Sequence, residues 1–264
     1  MELSIVHNEP TKSELNIIDE FASKFRIIHC ATPRENLYAS WNRAVAQSTG
    51  EYLACWNVDD LRTEDSLIRM SETLDKNPSV GWTYGDFIIT PQFGQTKGRL
   101  ARTPEWNREV GSRGAIGGAF FMWRRSIHDK LGWFDEQFRS GGDFDFTVRL
   151  SLGGAGRRTS GLHGYFLNER NGLSTSGGLQ PIERTVIQLR YGIYGTLDWH
   201  FVPRALSFRP KHVLQPGGTW IPIEQLVDNY DAHIASRRLS ALRIPLQTVA
   251  SAMQRRISSM RRRP

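Results

Sequence analysis

Two pairs of aspartates stand out as residues that could do chemistry. Asp59 and Asp60 follow residues 51–56, a nearly all-apolar run that predicts a strand covered on both faces. Carboxylates at the end of such a strand could hold a hard divalent cation, Mg²⁺ or Mn²⁺, which takes its other oxygens from diphosphate and water. The alternative is a turn in which an aspartate caps the next helix. The residue types leave both interpretations open.

The second pair is Asp143 and Asp145, which follow Gly141 and Gly142 at the predicted start of an amphipathic helix that includes Arg149. A carboxylate on a rigid helix start could act as a general base that takes a proton from a hydroxyl group. The alternative is structural, with Asp143 as the N-cap and Asp145 interacting favourably with the helix dipole.

The elements that must position these aspartates alternate between strand and helix in the first half of the chain. Apolar runs predict strands over residues 2–6, 25–30, 51–56, 80–84, 87–90 and 117–123. Helices are predicted over residues 65–74, 124–131 and 143–152, and residues 91–116 are predicted to be loop. This order predicts an α/β fold with a mostly parallel sheet flanked by helices. Ligands bind such sheets outside the carboxyl ends of the strands, where Asp59 and Asp60 lie.

Two further helices are predicted to begin at capping boxes. The hydroxyl of Thr11 can accept from the third amide of its helix while Glu14 reaches back to the cap. Thr32 and Glu35 repeat the signature, with Pro33 at the first helical position, where its missing N–H costs nothing. The second helix is expected to continue to about residue 47.

Taken together, several motifs resemble those of the family 2 glycosyltransferases. Asn36, Asn42, the run ending in residues 49–52 and the sequence Asn57-Val58-Asp59-Asp60 are similar to the first half of the family pattern. Residues 117–125, 131–138 and 142–149 are similar to its second half. There a Gly-x-Phe-Asp-Glu-x-Phe loop leads to a Glu-Asp-x-Asp motif followed by an arginine. The resemblance covers roughly residues 2–175 and is carried by the order and spacing of the motifs together.

The resemblance implies a GT-A fold, a nucleotide-sugar donor and a single-displacement transfer that inverts the sugar. Asp59 and Asp60 would bind Mg²⁺ or Mn²⁺, which neutralises charge on the leaving diphosphate. The implied catalytic residues are Asp143, which takes the proton from the acceptor hydroxyl, and Asp145, which with Arg149 holds the helix start.

Other residues receive binding roles by the same resemblance. The implied contacts to the nucleotide sugar come from Asn36, Asn42, Asn57 and Asp59. Contacts to a glycan or lipid-linked acceptor are implied for Trp133, Asp135 and Glu136, with loop structure as the alternative for the two acids.

The sequence departs from the family pattern at three places. Asn57 stands where the first aspartate of an Asp-x-Asp motif is usual, and Gly142 replaces a usual glutamate, which predicts a more flexible helix start. Residues 2–6 line up with the family's second strand, so we expect the domain to be truncated at its N-terminus, without the usual first strand–helix unit. The edges left by a missing central strand must pair with something else. The nucleotide cannot be named, because its usual aspartate contact is absent.

The net charge of +7 is concentrated at the C-terminus. Residues 237–264 hold eight arginines and no acid, which leaves 26 basic against 27 acidic residues elsewhere. Nucleic-acid binding is therefore not expected. The tail is predicted to form a basic amphipathic helix suited to an anionic membrane surface, with docking on the domain as the alternative. Its apolar positions are Leu246, Val249, Met253, Ile257 and Met260.

Length and composition indicate a globular protein of 264 residues. We expect a GT-A-like domain over residues 1–200 and a C-terminal helical extension over residues 201–264. Two cysteines are too few for a disulfide framework, and neither a secretory leader nor an apolar run of membrane-spanning length is evident. We expect a cytoplasmic location. The basic tail additionally predicts peripheral attachment at the inner face of the cell membrane. Synthesis of a cell-surface polysaccharide is the expected setting, and a catalytically inactive binding or scaffold protein is the alternative function.

Overall fold

The structure is a computed structural model that describes residues 1–114, 116–168 and 178–237. Its strands are β1 (Leu3–Asn8), β2 (Ile27–Thr32), β3 (Tyr52–Leu53), β4 (Leu61–Arg62), β5 (Val80–Thr90), β6 (Arg99–Ala101), β7 (Phe121–Arg124), β8 (Ala155–Leu167), β9 (His212–Leu214) and β10 (Trp220–Pro222). Its helices are α1 (Lys12–Ala22), α2 (Leu37–Gln47), α3 (Ser66–Asp75), α4 (Arg108–Gly111), α5 (Arg125–Leu131), α6 (Gly142–Gly153), α7 (Leu179–Tyr191) and α8 (Val202–Ala205), and residues 230–237 are also helical.

The central sheet is mixed, whereas the strand–helix alternation predicted a mostly parallel one. Its order is β3-β7-β5-β8-β4, with β6 paired to β5. Among the described residues, β5 and β8 are the only neighbours in this sheet that run parallel. Strand β7 is antiparallel to β3 and β5, β4 is antiparallel to β8, and β6 is antiparallel to β5. The two strands predicted over residues 80–90 are one continuous strand, and the predicted loop that follows contains β6 and α4.

The first two strands form a separate parallel pair, in register from Leu3 opposite Ile27 to Asn8 opposite Thr32. Helix α2 packs against β1, where the Ser4 hydroxyl donates to the carbonyl of residue 44. An apolar groove of about 520 Å³ lies along β1, α1 and β2. In the described ranges, neither β1 nor β2 pairs with a strand of the central sheet.

The two predicted capping boxes have different outcomes. At α1 the prediction is confirmed, because Thr11 accepts from the amide of Glu14, whose carboxylate accepts from the amide of Thr11 at 2.7 Å. At α2 it is wrong, since the helix begins after Asn36, which caps the amide of residue 39 at 2.8 Å. Glu35 instead pairs with Arg43 at 2.9 Å.

The main apolar core lies between the central sheet and the helices α2, α6 and α7. Its largest side chains are aromatic, and the rings of Phe134 and Phe146 are 4.4 Å apart between centroids. The same cluster extends from Tyr38 to Ile234, so the described part of residues 201–264 packs on the core of the preceding residues. The division of the chain at residue 200 remains a prediction.

His128 lies inside this aromatic core and titrates far from neutrality. Its ring is 1% exposed and lies near Trp133 and Phe146 at centroid distances of 5.2 and 5.4 Å. Neither ring nitrogen has a hydrogen-bond partner among the described residues. Burial, with the charges of Arg149 and Arg125, lowers the pKa of His128 to about 3. The native protein therefore holds this imidazole neutral at any pH above that value.

We expect His128 to make the native state less stable in mild acid. The unfolded chain binds a proton below pH 6.5 and the native chain does not, so stability falls by about 1.4 kcal/mol per pH unit between pH 6.5 and 3. Between pH 7 and 5, the free energy of unfolding should fall by about 2 kcal/mol more for the wild type than for His128→Phe. Urea titrations at both pH values measure this difference, and equal falls in the two proteins would contradict it.

Candidate functional site

The segment after β3 carries the first aspartate pair, and the two members differ sharply. Asp59 is exposed. Asp60 is 4% exposed and accepts from the side-chain amide of Asn57 at 2.9 Å and from the amide of Leu167 at 3.1 Å. Burial raises the pKa of Asp60 to about 6. Asp60 thus ties the segment to the end of β8, and Asn57 supports the same carboxylate. The expected contacts of Asp60 with a metal ion and of Asn57 with a nucleotide sugar stay predictions.

A partly buried cation lies close to this segment. Arg62, on β4, donates to the carbonyl of Cys55 at 2.8 Å, and its guanidinium lies 5.9 Å from the ring centroid of Trp56. Burial lowers the pKa of Arg62 to about 10. The guanidinium places positive charge beneath the strand end that leads to Asp59.

Asp143 is the second residue of α6 and is partly exposed. One carboxylate oxygen accepts from the Tyr38 hydroxyl at 3.3 Å and from the amide of Phe144 at 2.8 Å. Burial raises the pKa of Asp143 despite these two hydrogen bonds. Because α6 is capped by Gly141 and not by Asp143, the N-cap alternative is wrong.

The structure brings Asp143 close to the segment of the first pair. Burial raises the pKa of the Cys55 thiol, and the negative charge of Asp143 raises it further. Cys55 lies four residues before Asp59 on the segment that leaves β3. Asp143 therefore lies within electrostatic range of Cys55, on the segment that leads to Asp59.

Asp145 is part of a buried ion-pair network and not of the exposed site. It pairs with Arg149 at 2.9 Å and with Arg190 at 2.6 Å, and the Tyr191 hydroxyl donates to it at 2.8 Å. Burial alone would raise the pKa of Asp145, but the charges of Arg190 and Arg149 hold this pKa below its ordinary value. These contacts agree with a role in holding the start of α6. The side chain of Asp145 is 0% exposed, so it cannot contact a reacting group directly.

The residues expected to contact the acceptor are held by protein groups. Asp135 is 0% exposed and pairs with Arg190 at 2.8 Å. The amide of Trp133 donates to the side chain of Gln215 at 3.0 Å, and its ring packs edge-on against His128. The Asp135 carboxylate is enclosed in this ion pair, which leaves it no exposed surface for an acceptor. Trp133 is partly exposed, and its expected contact with the acceptor stays a prediction.

Two of the asparagines expected to bind the nucleotide sugar, Asn36 and Asn42, hold the loop before α6. Asn42 is 1% exposed, and its side chain exchanges two hydrogen bonds of 2.9 Å with the backbone of Phe134. It also donates to the carboxylate of Glu136 at 2.9 Å, and Asn36 donates to the carbonyl of Glu136 at the same distance. Helix α2 thereby fixes the loop that leads to Asp143, and Glu136 belongs to that arrangement.

Three residues of the site were not found by sequence reasoning. Tyr38 contacts Asp143 from α2, while Glu183 and Arg190 reach the start of α6 from α7. Tyr38 lies beside the asparagines that carried the resemblance, which was a usable signal. Glu183 and Arg190 lie 42 and 45 residues from Gly141 and Asp145, which they contact at the start of α6, and their segment carries no motif, so no local pattern indicated them.

The described residues could bind a metal ion only together with a phosphate group of a substrate. No group of three or more His, Cys, Asp or Glu side chains in the described part of the chain could hold one. Asp59 offers a single exposed carboxylate, and Mg²⁺ is commonly bound by one or two carboxylates with substrate phosphates and water. The arrangement fits a cation shared with a diphosphate and does not fit a site built from protein ligands alone.

Across residues 1–114, 116–168 and 178–237, no helix has the length and apolar character needed to cross a bilayer.

Comparison with solved structures shows the fold. The crystal structure of residues 1–349 of S. aureus TarS in complex with UDP matches 78% of this chain with a TM-score of 0.54 and 16% identity. The corresponding complex with UDP-GlcNAc matches the same share with a TM-score of 0.53. The chain spans 63% and 64% of those two structures. No curated protein matches the chain.

A family model identifies the chain. The model described as Glycosyl transferase family 2 matches residues 1–132, which is half of the sequence. With the fold match, this confirms the resemblance drawn from the motifs and the α/β fold class of GT-A type, with the sheet mixed as described. The chain therefore belongs to glycosyl transferase family 2.

Proposed function

We propose that the chain transfers a sugar from a nucleoside diphosphate to a hydroxyl group of a glycan or lipid-linked acceptor, with inversion at the anomeric carbon. The observation that carries this proposal is the partly exposed Asp143 carboxylate at the start of α6, which accepts a hydrogen bond from Tyr38 and lies within electrostatic range of Cys55, four residues before Asp59. Support comes from the family and from TarS, whose structures contain UDP and UDP-GlcNAc.

Asp143 is proposed as the general base. Its carboxylate takes the proton of the acceptor hydroxyl while the hydroxyl oxygen bonds to the anomeric carbon. The bond between that carbon and the diphosphate oxygen breaks, and the diphosphate leaves with the bonding electrons. Attack opposite the leaving group inverts the configuration. The raised pKa of Asp143 makes it a stronger base than an exposed aspartate.

Asp59 is proposed as the protein ligand of Mg²⁺ or Mn²⁺. When bound, such a cation stabilises negative charge on the leaving diphosphate. The Arg62 guanidinium adds positive charge from beneath the same segment, where burial limits its screening by solvent. Asp60 is assigned the separate task of anchoring the segment to Leu167.

The different roles of Asp59 and Asp60 give a test of this proposal. Asp59→Asn should weaken Mn²⁺-dependent binding of UDP, used as the probe, at least about tenfold, because it removes the ligand charge. Asp60→Asn should lower the melting temperature, because the two partners of Asp60 contact different carboxylate oxygens and an amide keeps only one oxygen. The Mn²⁺ dependence of UDP binding should stay. Isothermal titration with and without Mn²⁺, with the exposed Asp19→Asn as control, measures both. Unchanged Mn²⁺ dependence in Asp59→Asn would remove the assignment.

The cellular setting is part of the proposal. Synthesis of a cell-surface polysaccharide in the cytoplasm, at the inner face of the membrane, would suit a nucleotide-sugar donor and a lipid-linked acceptor. The basic amphipathic helix predicted over residues 246–264 would supply peripheral attachment to anionic lipids. That segment lies outside the described residues, and this attachment is inferred from its sequence alone.

A further inference from the structure

The carboxylate of Glu183 lies directly behind the start of α6. Glu183 is on α7 and is 0% exposed. Its carboxylate accepts from the amides of Arg139, Ser140 and Gly141, each at 2.8 Å, and from the Ser140 hydroxyl at 3.1 Å. Three consecutive amides thus converge on one buried anion, as they do in the anion-binding concavities formed by successive backbone N–H groups.

These amides immediately precede Asp143. The first hydrogen bond of α6 runs from the amide of Asp145 to the carbonyl of Gly141, the residue whose own amide Glu183 holds. The anion therefore fixes the backbone two residues before the proposed base. It also lies at the positive end of the helix dipole, where a negative charge is favourable.

The packing leaves no room for a side chain at Gly142 and little room for one at Gly141. A Cβ on Gly142 would lie 2.8 Å from ring carbons of Tyr38, and one on Gly141 would lie 3.3 Å from the Glu183 carboxylate. The glutamate usual at position 142 in the family pattern would therefore displace Tyr38, which donates to Asp143. The helix start is closely packed, which corrects the expectation that Gly142 makes it flexible. Glu183 places a carboxylate at this helix start from a different helix.

We infer that Glu183 is a positioning residue for Asp143, which holds the backbone of residues 139–141 in place and sets a second negative charge behind the start of α6. This rests on the proposed function, in which Asp143 is the base. The charges agree with this role. Burial raises the pKa of Asp143 most, and the negative charge of Glu183 raises it in addition.

Two substitutions separate the position of Glu183 from its charge. Glu183→Gln keeps the length and removes the charge, so Asp143 should titrate at lower pH than in the wild type. Glu183→Asp keeps the charge and loses one methylene of reach, so the titration of Asp143 should stay near that of wild type. In both, turnover of UDP-GlcNAc should fall about 10- to 100-fold, as expected when a base is misplaced, with the Michaelis constant unchanged. The exposed Glu224→Gln serves as control.

The deciding measurement is carbon-detected NMR of aspartate carboxyls, with the Asp143 signal assigned by its loss in Asp143→Asn. It needs no transfer activity, so it distinguishes this inference from the proposed function. A lower midpoint in Glu183→Gln and a wild-type midpoint in Glu183→Asp support the inference. An unchanged midpoint in Glu183→Gln overturns it, even if Asp143 proves to be the base. Full turnover in Asp143→Asn would instead overturn the proposed base and leave the positioning of its carboxylate by Glu183 intact.

Discussion

Replacement of Asp143 by asparagine is expected to lower kcat for sugar transfer by about 100- to 10,000-fold, the contribution of a positioned general base. Asparagine has nearly the same shape, and its carbonyl oxygen can still accept from Tyr38 and from the amide of Phe144. The fold and the binding of the nucleotide sugar should therefore persist. What is lost is the lone pair that takes the proton of the acceptor hydroxyl.

The comparison that isolates this effect uses two further variants. Tyr38→Phe removes the hydrogen bond to Asp143 without removing the carboxylate, so its loss of kcat should be smaller. Asp129→Asn changes an exposed aspartate at α5 and should behave as wild type. Steady-state kinetics and equilibrium binding of the same nucleotide sugar measure the two properties separately. If Asp143→Asn kept the wild-type kcat, another residue would have to be the base.

The second large effect is expected on stability, at Arg190. This fully buried guanidinium pairs with Asp135 and Asp145 and donates to the carbonyls of residues 210 and 212. Arg190→Met would leave Asp135 without its cation in the interior. Breaking a buried pair in this way costs about 3–5 kcal/mol of unfolding free energy, because the remaining charge is uncompensated.

A matched control is available on the same helix. Arg184 is exposed on α7, so Arg184→Met should change the unfolding free energy by no more than about 0.5 kcal/mol. Adding Asp135→Asn to Arg190→Met should recover part of the loss, since the stranded charge is then removed. Urea denaturation at pH 7 measures all four proteins. A loss below about 1 kcal/mol in Arg190→Met would show that the network contributes little.

Features set by neighbouring residues could be predicted from the sequence. The capping box at Thr11 was found because both partners lie within four residues. Asp59 and Asp143 were found because a strand end and a helix start have local patterns, and the resemblance gave their order. The α/β class followed in the same way from the alternation of strands and helices.

Features set by distant contacts could not be predicted. Asp60, Asp135 and Asp145 carry the same side chain as Asp59 and Asp143, and only burial against Leu167 and Arg190 separates their roles. No pattern near Asp143 indicates that α7 supplies Glu183. The sheet is mixed because β7 inserts between β3 and β5, a pairing that hydrophobic periodicity does not determine.

The central claim is that this chain consumes a nucleotide sugar by inverting transfer. The most direct measurement incubates the full chain with Mn²⁺ and a panel of nucleotide sugars and follows nucleoside diphosphate release and the anomeric configuration of the product by NMR. We expect at least one nucleotide sugar to be consumed with inversion, and its consumption to be lost in Asp143→Asn. Consumption with retention of configuration, or no binding and no release with any nucleotide sugar, would contradict the account.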